Sequence, residues 1–391
     1  MRITRVPALG RGWTSSARAA LRLAEVRLLR LAGAAVLVLV ASITVATNAS
    51  AATGRLGPIS AMNGFAAEQL PQPQLDQQLA AMQANGVQVV RADAPWAWIE
   101  PLPPGPTGPA WQFSQIDAWV SALARHHLTW EPLIDFSVWW AKTCSGFCAP
   151  TSNATYATFA QAVAARYGAG GSFWAQNPQL PYYPAQIFEI WNEENVSTYY
   201  IDPGRFAGLY TAARSAIHAV DPHASVIVGG LADDSGTFNA SQDYPAQYVQ
   251  QMFAADPSLK GNVDGFGLHP YGATAADVEG WVADFRQELD NLGEGSAPID
   301  ITEIGWTTGD ATRENWRAWM MFNVGDALAR SNCGIRMLAP YDWINPGDPT
   351  GDFGLVDESG LSTTLRQAGT YWFAALQQAA TDPGIALCGS A

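Results

Sequence analysis

The chain has 391 residues, 48% hydrophobic and 14% charged, the profile of a folded globular protein rather than a disordered one. Thirty-five acidic residues against 21 basic ones set the formal charge at −14. Such a surface repels phosphate backbones and anionic lipid, so nucleic acid and membranes are not expected partners and neutral substrates fit better.

Residues 1–51 read as an export segment. Arg2, Arg5, Arg11, Arg18, Arg22, Arg27 and Arg30 precede the apolar run Leu31 to Ala46, and Ala49-Ser50-Ala51 supplies a small-x-small cleavage site. A retained membrane anchor is the competing reading, but the 16-residue run is short of the roughly 20 residues that span a bilayer. The expected organisation is a signal peptide at 1–51 and one catalytic domain at 52–391, secreted and with no stable membrane association after cleavage. Residues 52–391 carry 14 basic and 34 acidic side chains, a formal charge of −20. Cys144, Cys148, Cys333 and Cys388 make an even count, which in an exported protein favours disulfides. Cys144 with Cys148 and Cys333 with Cys388 is the expected pairing, although three pairings are formally open. A zinc site is disfavoured, because the spacing is C-x3-C and no nearby His completes a ligand set.

In chain order, ISAMNG (59–64) reads as a strand and Gln74 to Asn85 as a helix with Leu75, Leu79 and Met82 on one face. The strand VQVVRAD (87–93) ends in Arg91 and Asp93 and runs into the aromatic segment APWAWIEP and the turn-rich PLPPGPTGP. A helix from Ser114 to His126 follows, with Ser114 and Asp117 placed as a capping box. The alternation then repeats. Strand LTWEPLID ends at Asp135, and a loop with Trp139, Trp140 and the close cysteine pair leads to a helix over Thr155 to Tyr167. Strand IFEIWNE ends in Asn192 and Glu193. Helix Pro203 to Val220, strand SVIVGG, helix Pro245 to Ala255, strand DGFGLHPY, helix Ala275 to Leu292 and strand PIDITEIGW come next. Helix Thr312 to Ala329, strand GIRMLAPYDW and a helix over Leu361 to Gln378 close the chain.

Eight strand-then-helix units, most strands being short apolar runs rather than alternating ones, are what a closed parallel barrel demands. The fold class is therefore α/β, a single-domain (β/α)8 TIM barrel. An open doubly wound sheet leaves the unit count and the missing Gly-rich phosphate loop unexplained.

In such a barrel, polar residues at strand C-termini converge on the face that carries active sites. The set is Arg91 and Asp93, Asp135, Asn192 and Glu193, His269 and Tyr271, Glu303, and Trp343. Glu193 and Glu303 each stand just past a buried apolar run, on strands that a barrel brings to opposite sides of one pocket. Cleaving an acetal needs a proton for the leaving oxygen and an anion beneath the developing oxocarbenium carbon, and two carboxyl groups roughly 5 to 5.5 Å apart supply both. Glu193 is the expected acid/base and Glu303 the expected nucleophile, kept ionised by Arg91 and by His269 or Tyr271. Ordinary salt-bridged carboxylates at strand ends are the bland alternative.

IWNEEN at the end of the fourth strand resembles the Trp-Asn-Glu-Pro signature of clan A glycoside hydrolases. ITEIGW is similar to their strand-seven nucleophile motif and LHPYG to their strand-six motif. DPHASVIVGGL, TEIGWTT and GDFGLVDESG are most similar to family 39-like and family 5-like enzymes. The resemblance implies acid/base at Glu193, 2-hydroxyl recognition by Asn192, nucleophile at Glu303 supported by Tyr271 and His269, the clan's arginine at Arg91, and the aromatic floor of the sugar subsite at Trp343. Glu194 departs from it, standing where Pro is usual. It raises the pKa of Glu193, marks an unusual substrate, or is a solvated loop residue.

Sixteen Trp are present, and sugar rings stack on indole faces, which points to Trp96, Trp98, Trp139, Trp140, Trp306 and Trp343 near the open face. For any single one, core packing is the commoner role. The expected protein is a secreted, monomeric, retaining glycoside hydrolase acting on a carbohydrate substrate, with no metal and no organic cofactor. A transglycosylase using the same covalent intermediate, and a non-catalytic glycan-binding barrel, are the alternatives.

Overall fold

In the computed structural model, residues 57–64, 67–234, 244–345, 351–356 and 362–389 are described. The expected export segment at 1–51 lies outside the described residues, as does Asn239 with its glycosylation sequon. Eight strands form a closed, all-parallel barrel in chain order: β1 (Ile59–Asn63), β2 (Val89–Pro95), β3 (Thr129–Asp135), β4 (Ile187–Asn192), β5 (Ser225–Asp234), β6 (Phe266–Tyr271), β7 (Ile299–Ile304) and β8 (Ile335–Pro340). The main helices between and after them are α1 (Gln72–Ala84), α2 (Ser114–Arg125), α3 (Asn153–Tyr167), α4 (Pro203–His218), α5 (Pro245–Ala255), α6 (Ala275–Leu292), α7 (Ala311–Arg330) and α8 (Gln367–Ala379). This is the expected (β/α)8 architecture, and no described helix is long and apolar enough to cross a membrane.

The strand sequences account for the two-sided burial. Outward-facing residues such as Val90, Ile134, Phe188, Ile190, Val226 and Leu338 join the large core beneath the helices. Inward-facing Ala61, Val89, Ile187, Ile227, Met337 and Ala339 form a second, separate apolar layer inside the barrel. Because both faces are buried, the strands read as continuous apolar runs rather than alternating ones. Polar residues on the inner face sit between that layer and the C-terminal mouth.

Local signals fix most helix starts. The Ser152 hydroxyl accepts from Thr155 N at 3.2 Å ahead of α3, Asp202 caps α4, Asp310 caps α7, and Thr274 with Asp277 forms a reciprocal capping box on α6. The box expected at Ser114 and Asp117 does not form: Phe113 holds the cap position without a side-chain bond. Asp117 instead accepts from Arg166 Nε at 2.7 Å and from the Tyr167 hydroxyl at 2.7 Å, so it ties α2 to α3. The two expected disulfides are present, Cys144–Cys148 and Cys333–Cys388. The second fastens the C-terminal segment beside Asn332, whose Oδ1 accepts from the backbone of Leu387 and Cys388.

Candidate active site

The end of β4 departs from regular strand. Trp191 has φ +70° and Glu193 φ +50°, the left-handed region that residues with a Cβ rarely occupy. These two residues flank Asn192, and the turn lifts Glu193 out of the strand's alternation toward the open mouth. A carboxylate oxygen of Glu193, one of Glu303 from β7 and a ring nitrogen of His269 from β6 all lie within 4.8 Å of one another.

The two carboxyl groups have different surroundings. Arg91 Nη1 donates to Glu303 Oε1 at 2.7 Å, and the Tyr271 hydroxyl donates to Glu303 Oε2 at 2.7 Å. Burial alone pushes the Glu303 carboxyl up, but the charges of His269 and Arg91, with the hydrogen bonds from Tyr271 and Arg91, outweigh it and hold the pKa below the ordinary glutamate value. For Glu193 the balance is reversed. Burial is the largest influence and raises its pKa, and the Glu303 charge adds to the rise, against the lowering influence of His269 and Arg91.

The partners of His269 define its proton. Nε2 lies 3.0 Å from the Thr302 hydroxyl, and that hydroxyl donates to Glu189 Oε1 at 3.1 Å. Thr302 therefore accepts from Nε2–H, which leaves Nδ1 facing Glu193 Oε1 at 3.0 Å. Nδ1 accepts from a protonated Glu193 and, when the ring carries the charge that lowers Glu303, donates to an ionised Glu193. Gly230 on β5 makes room for this ring, because a Cβ there would lie 1.9 Å from His269 Nε2.

Arg91 is fully buried and serves four partners. Besides Glu303 it donates to Glu189 through Nε, to Asn63 Oδ1 at 3.0 Å and to Asn192 Oδ1 at 2.9 Å. Asn63 in turn donates through Nδ2 to the Thr302 carbonyl at 2.9 Å, linking β1 to β7. Asn63, Glu189 and Thr302 were not among the expected site residues. Asn63 obeys the same strand-end rule as the others, and Glu189 is the one charged residue inside the apolar run of β4; both signals are present in the sequence.

Asp93, also expected at the site, lies in the same electrostatic field. Burial raises its pKa to about 6, with the charges of Glu303 and Glu189 adding and Arg91 opposing. Asp135 is buried at the end of β3, where its charge acts on Tyr156.

Two expected aromatic contacts are corrected by the packing. Trp96 is fully buried, stacked on Phe159 at 5.0 Å, with its indole N–H on Glu100 at 2.8 Å. Trp343 is also fully buried; its N–H donates to Gln78 Oε1 at 2.8 Å and its ring meets Phe373. Neither presents a ring face to the mouth. Tyr341, directly after β8, is the partly exposed ring at that strand end and lies edge-on to Phe353 at 5.3 Å. Trp98 and Trp139 are exposed on the loops after β2 and β3, Trp140 is half-buried, and Trp306 is buried with its N–H on the Gly272 carbonyl. Glu194 is buried, so the solvated reading fails. Its carboxyl packs against Gly229, where a Cβ would lie 2.6 Å from Oε2, and burial first, then the charges of Glu189 and Glu193, push its pKa well up.

The Glu193–His269–Glu303 group is compact enough to hold a cation. Arg91 and Tyr271 already meet both Glu303 oxygens, so the charge a metal would neutralise is matched by the protein's own donors. What the arrangement offers is one carboxyl whose pKa is raised and one held low, with an oxygen of each within 4.8 Å of the other.

No family model matches the sequence, and no curated protein sequence matches it. Solved structures do match. A monomeric β-xylosidase from Caulobacter crescentus CB15 superposes with a TM-score of 0.61 at 16% identity over 84% of this chain and 70% of its own. A family 39 glycoside hydrolase from Bacteroides cellulosilyticus WH2 gives 0.63 at 17% identity over 83% and 64%. The endo-1,4-β-mannanase from Rhizomucor miehei gives 0.55 at 14% identity, covering 84% of this chain and 96% of its own. At these identities the likeness is one of fold.

Proposed function

We propose that the chain is a secreted glycoside hydrolase that cleaves O-glycosidic bonds with retention, by double displacement between Glu303 and Glu193. The observation that carries this reading is the opposite treatment of two carboxyl groups within 4.8 Å: Glu303 held low by Arg91, His269 and Tyr271, Glu193 held high by burial. An oxygen of each carboxyl within 4.8 Å of the other is compatible with the roughly 5 to 5.5 Å of a retaining pair and closer than the roughly 6.5 to 9.5 Å of an inverting one. The two disulfides suit an extracellular protein.

In the first half-reaction a Glu303 oxygen attacks the anomeric carbon while Glu193 passes its proton to the departing glycosidic oxygen. The bond to the aglycone breaks and a glycosyl ester forms on Glu303. Esterification removes the Glu303 charge, one of the influences raising the Glu193 pKa, so that pKa falls and Glu193 stays ionised, available as the base for the second half. It then takes a proton from water as the water oxygen attacks the anomeric carbon and frees Glu303. Arg91 holds Asn192 by its side-chain oxygen, which leaves the amide N–H2 to donate to a sugar 2-hydroxyl. Asp93 lines the same field, and Tyr341 is the ring on which a sugar would rest.

The test is a panel of aryl glycosides. Turnover of at least one, lost in Glu303→Gln, supports the reading; a folded protein with no turnover on the panel or on natural glycans points to a barrel that only binds.

A further inference from the structure

On the opposite face of the barrel, the N-terminal ends of β1 to β4 surround a cleft of about 500 Å³. Tyr182, more than half exposed, and Tyr183 stand at the mouth with the exposed amide of Gln186. The rest of the lining combines Ile59, Val89 and Ile187 of the apolar layer inside the barrel with the polar Gln88, His127 and Thr129. The lining ends at Glu131, two residues beyond Thr129 on the inner face of β3 and in register with Arg91.

Glu131 is fully buried, and among the described residues neither of its carboxyl oxygens has a hydrogen-bond partner. The nearby cations are engaged elsewhere: Arg91 with Glu189, Glu303, Asn63 and Asn192, and Arg336 with Asp300 and Ser225. A buried carboxyl without donors is costly. Burial first, then the charges of Glu189 and Asp300, push its pKa well up against the opposing charges of Arg91 and Arg336, so an arriving cation would favour the ionised form. An aromatic mouth, aliphatic side chains within a mixed lining and an unmet carboxyl at the base are complementary to a cationic head on an apolar stem.

We infer that this cleft is a second ligand site, distinct from the glutamate pair, that takes a primary alkylammonium group, the ammonium reaching Glu131 and its alkyl stem lying between Ile59, Val89 and Ile187. The inference does not rest on the glycosidase reading.

Titration calorimetry of the full chain with n-hexylammonium, n-hexanol and a methyl pyranoside tests it. Hexylammonium is expected to bind at least about tenfold more tightly than hexanol, the factor that about 1.4 kcal/mol of charge recognition confers, and Glu131→Gln is expected to erase that preference. Should Glu131→Gln not fold, Gln186→Arg puts a positive charge at the exposed mouth and is expected to weaken hexylammonium several-fold while leaving hexanol unchanged. Equal affinity for hexylammonium and hexanol, binding of the pyranoside alone, or hexylammonium binding indifferent to these substitutions would overturn the assignment.

Discussion

His269 presents Nδ1 to Glu193 Oε1 at 3.0 Å while its other nitrogen is committed to Thr302. The proton on Nε2 is thereby fixed from behind, through Thr302 and Glu189, and Nδ1 is the nitrogen that faces the acid. Removing the Thr302 hydroxyl leaves the ring free to choose the other tautomer. Thr302→Val is expected to lower kcat on the order of tenfold, about the worth of one orienting hydrogen bond, with KM little changed. A Thr302→Ser protein should retain near-normal kcat, and equal losses in both variants would show that the hydroxyl is not the active element.

Glu193→Ala separates the two half-reactions. With a good leaving group the first step needs no proton, so glycosylation of Glu303 should persist while deglycosylation slows by about 10² to 10⁴. Added azide, which needs no general base, should restore turnover and appear as a glycosyl azide among the products. An azide-insensitive variant would contradict the acid/base role.

The pH profile follows from the shift directions. Activity requires Glu303 ionised, so it rises with pH through a pKa held below the ordinary glutamate value; it requires Glu193 protonated, so it falls as pH passes a pKa raised above that value. A bell in kcat/KM wider than two unperturbed carboxyls permit is expected. Tyr271→Phe removes one of the donors that lower Glu303, which should move the acid limb to higher pH and leave the alkaline limb in place. Movement of the alkaline limb alone would exchange the two assignments.

Stability can be apportioned between the two disulfides. Cys333–Cys388 closes 55 residues and Cys144–Cys148 only four, which on loop-closure entropy corresponds to about 4 and about 2 kcal/mol. Replacing both cysteines of the long bridge by Ala should lower the urea midpoint clearly more than replacing those of the short one. The reverse order would mean that the loop at 144–148 is anchored by more than its own closure.

Much of this was legible before the structure. Short apolar strands alternating with helices carry the barrel in their spacing, and the helix bounds at Pro245–Ala255 and Ala275–Leu292 agree to the residue. Polar residues past apolar runs located Glu193, Glu303, Arg91, Asn192, His269 and Tyr271, all of which meet in one network. The missed roles of Glu189 and Asp117 have a common physical cause: a charged partner distant in sequence. Glu189 reads as an interruption in an apolar strand until Arg91, 98 residues away, is placed beside it. Asp117 reads as a helix cap until Arg166 arrives from the next helix. Trp96 and Trp343 stand next to strand ends in sequence, yet the short helix Trp96–Ile99 after β2 and the bends after β8 leave both rings buried, a direction that residue spacing does not encode.

The central claim is that Glu303 becomes covalently bonded to sugar. The direct measurement is peptide mass spectrometry of the protein inactivated with the 2-deoxy-2-fluoro counterpart of whichever aryl glycoside it turns over, bearing a good leaving group. The account predicts a single glycosyl adduct on the peptide that contains Glu303. An adduct on Glu193, Asp93 or any other residue would contradict it, as would turnover of that reagent with inversion and no adduct.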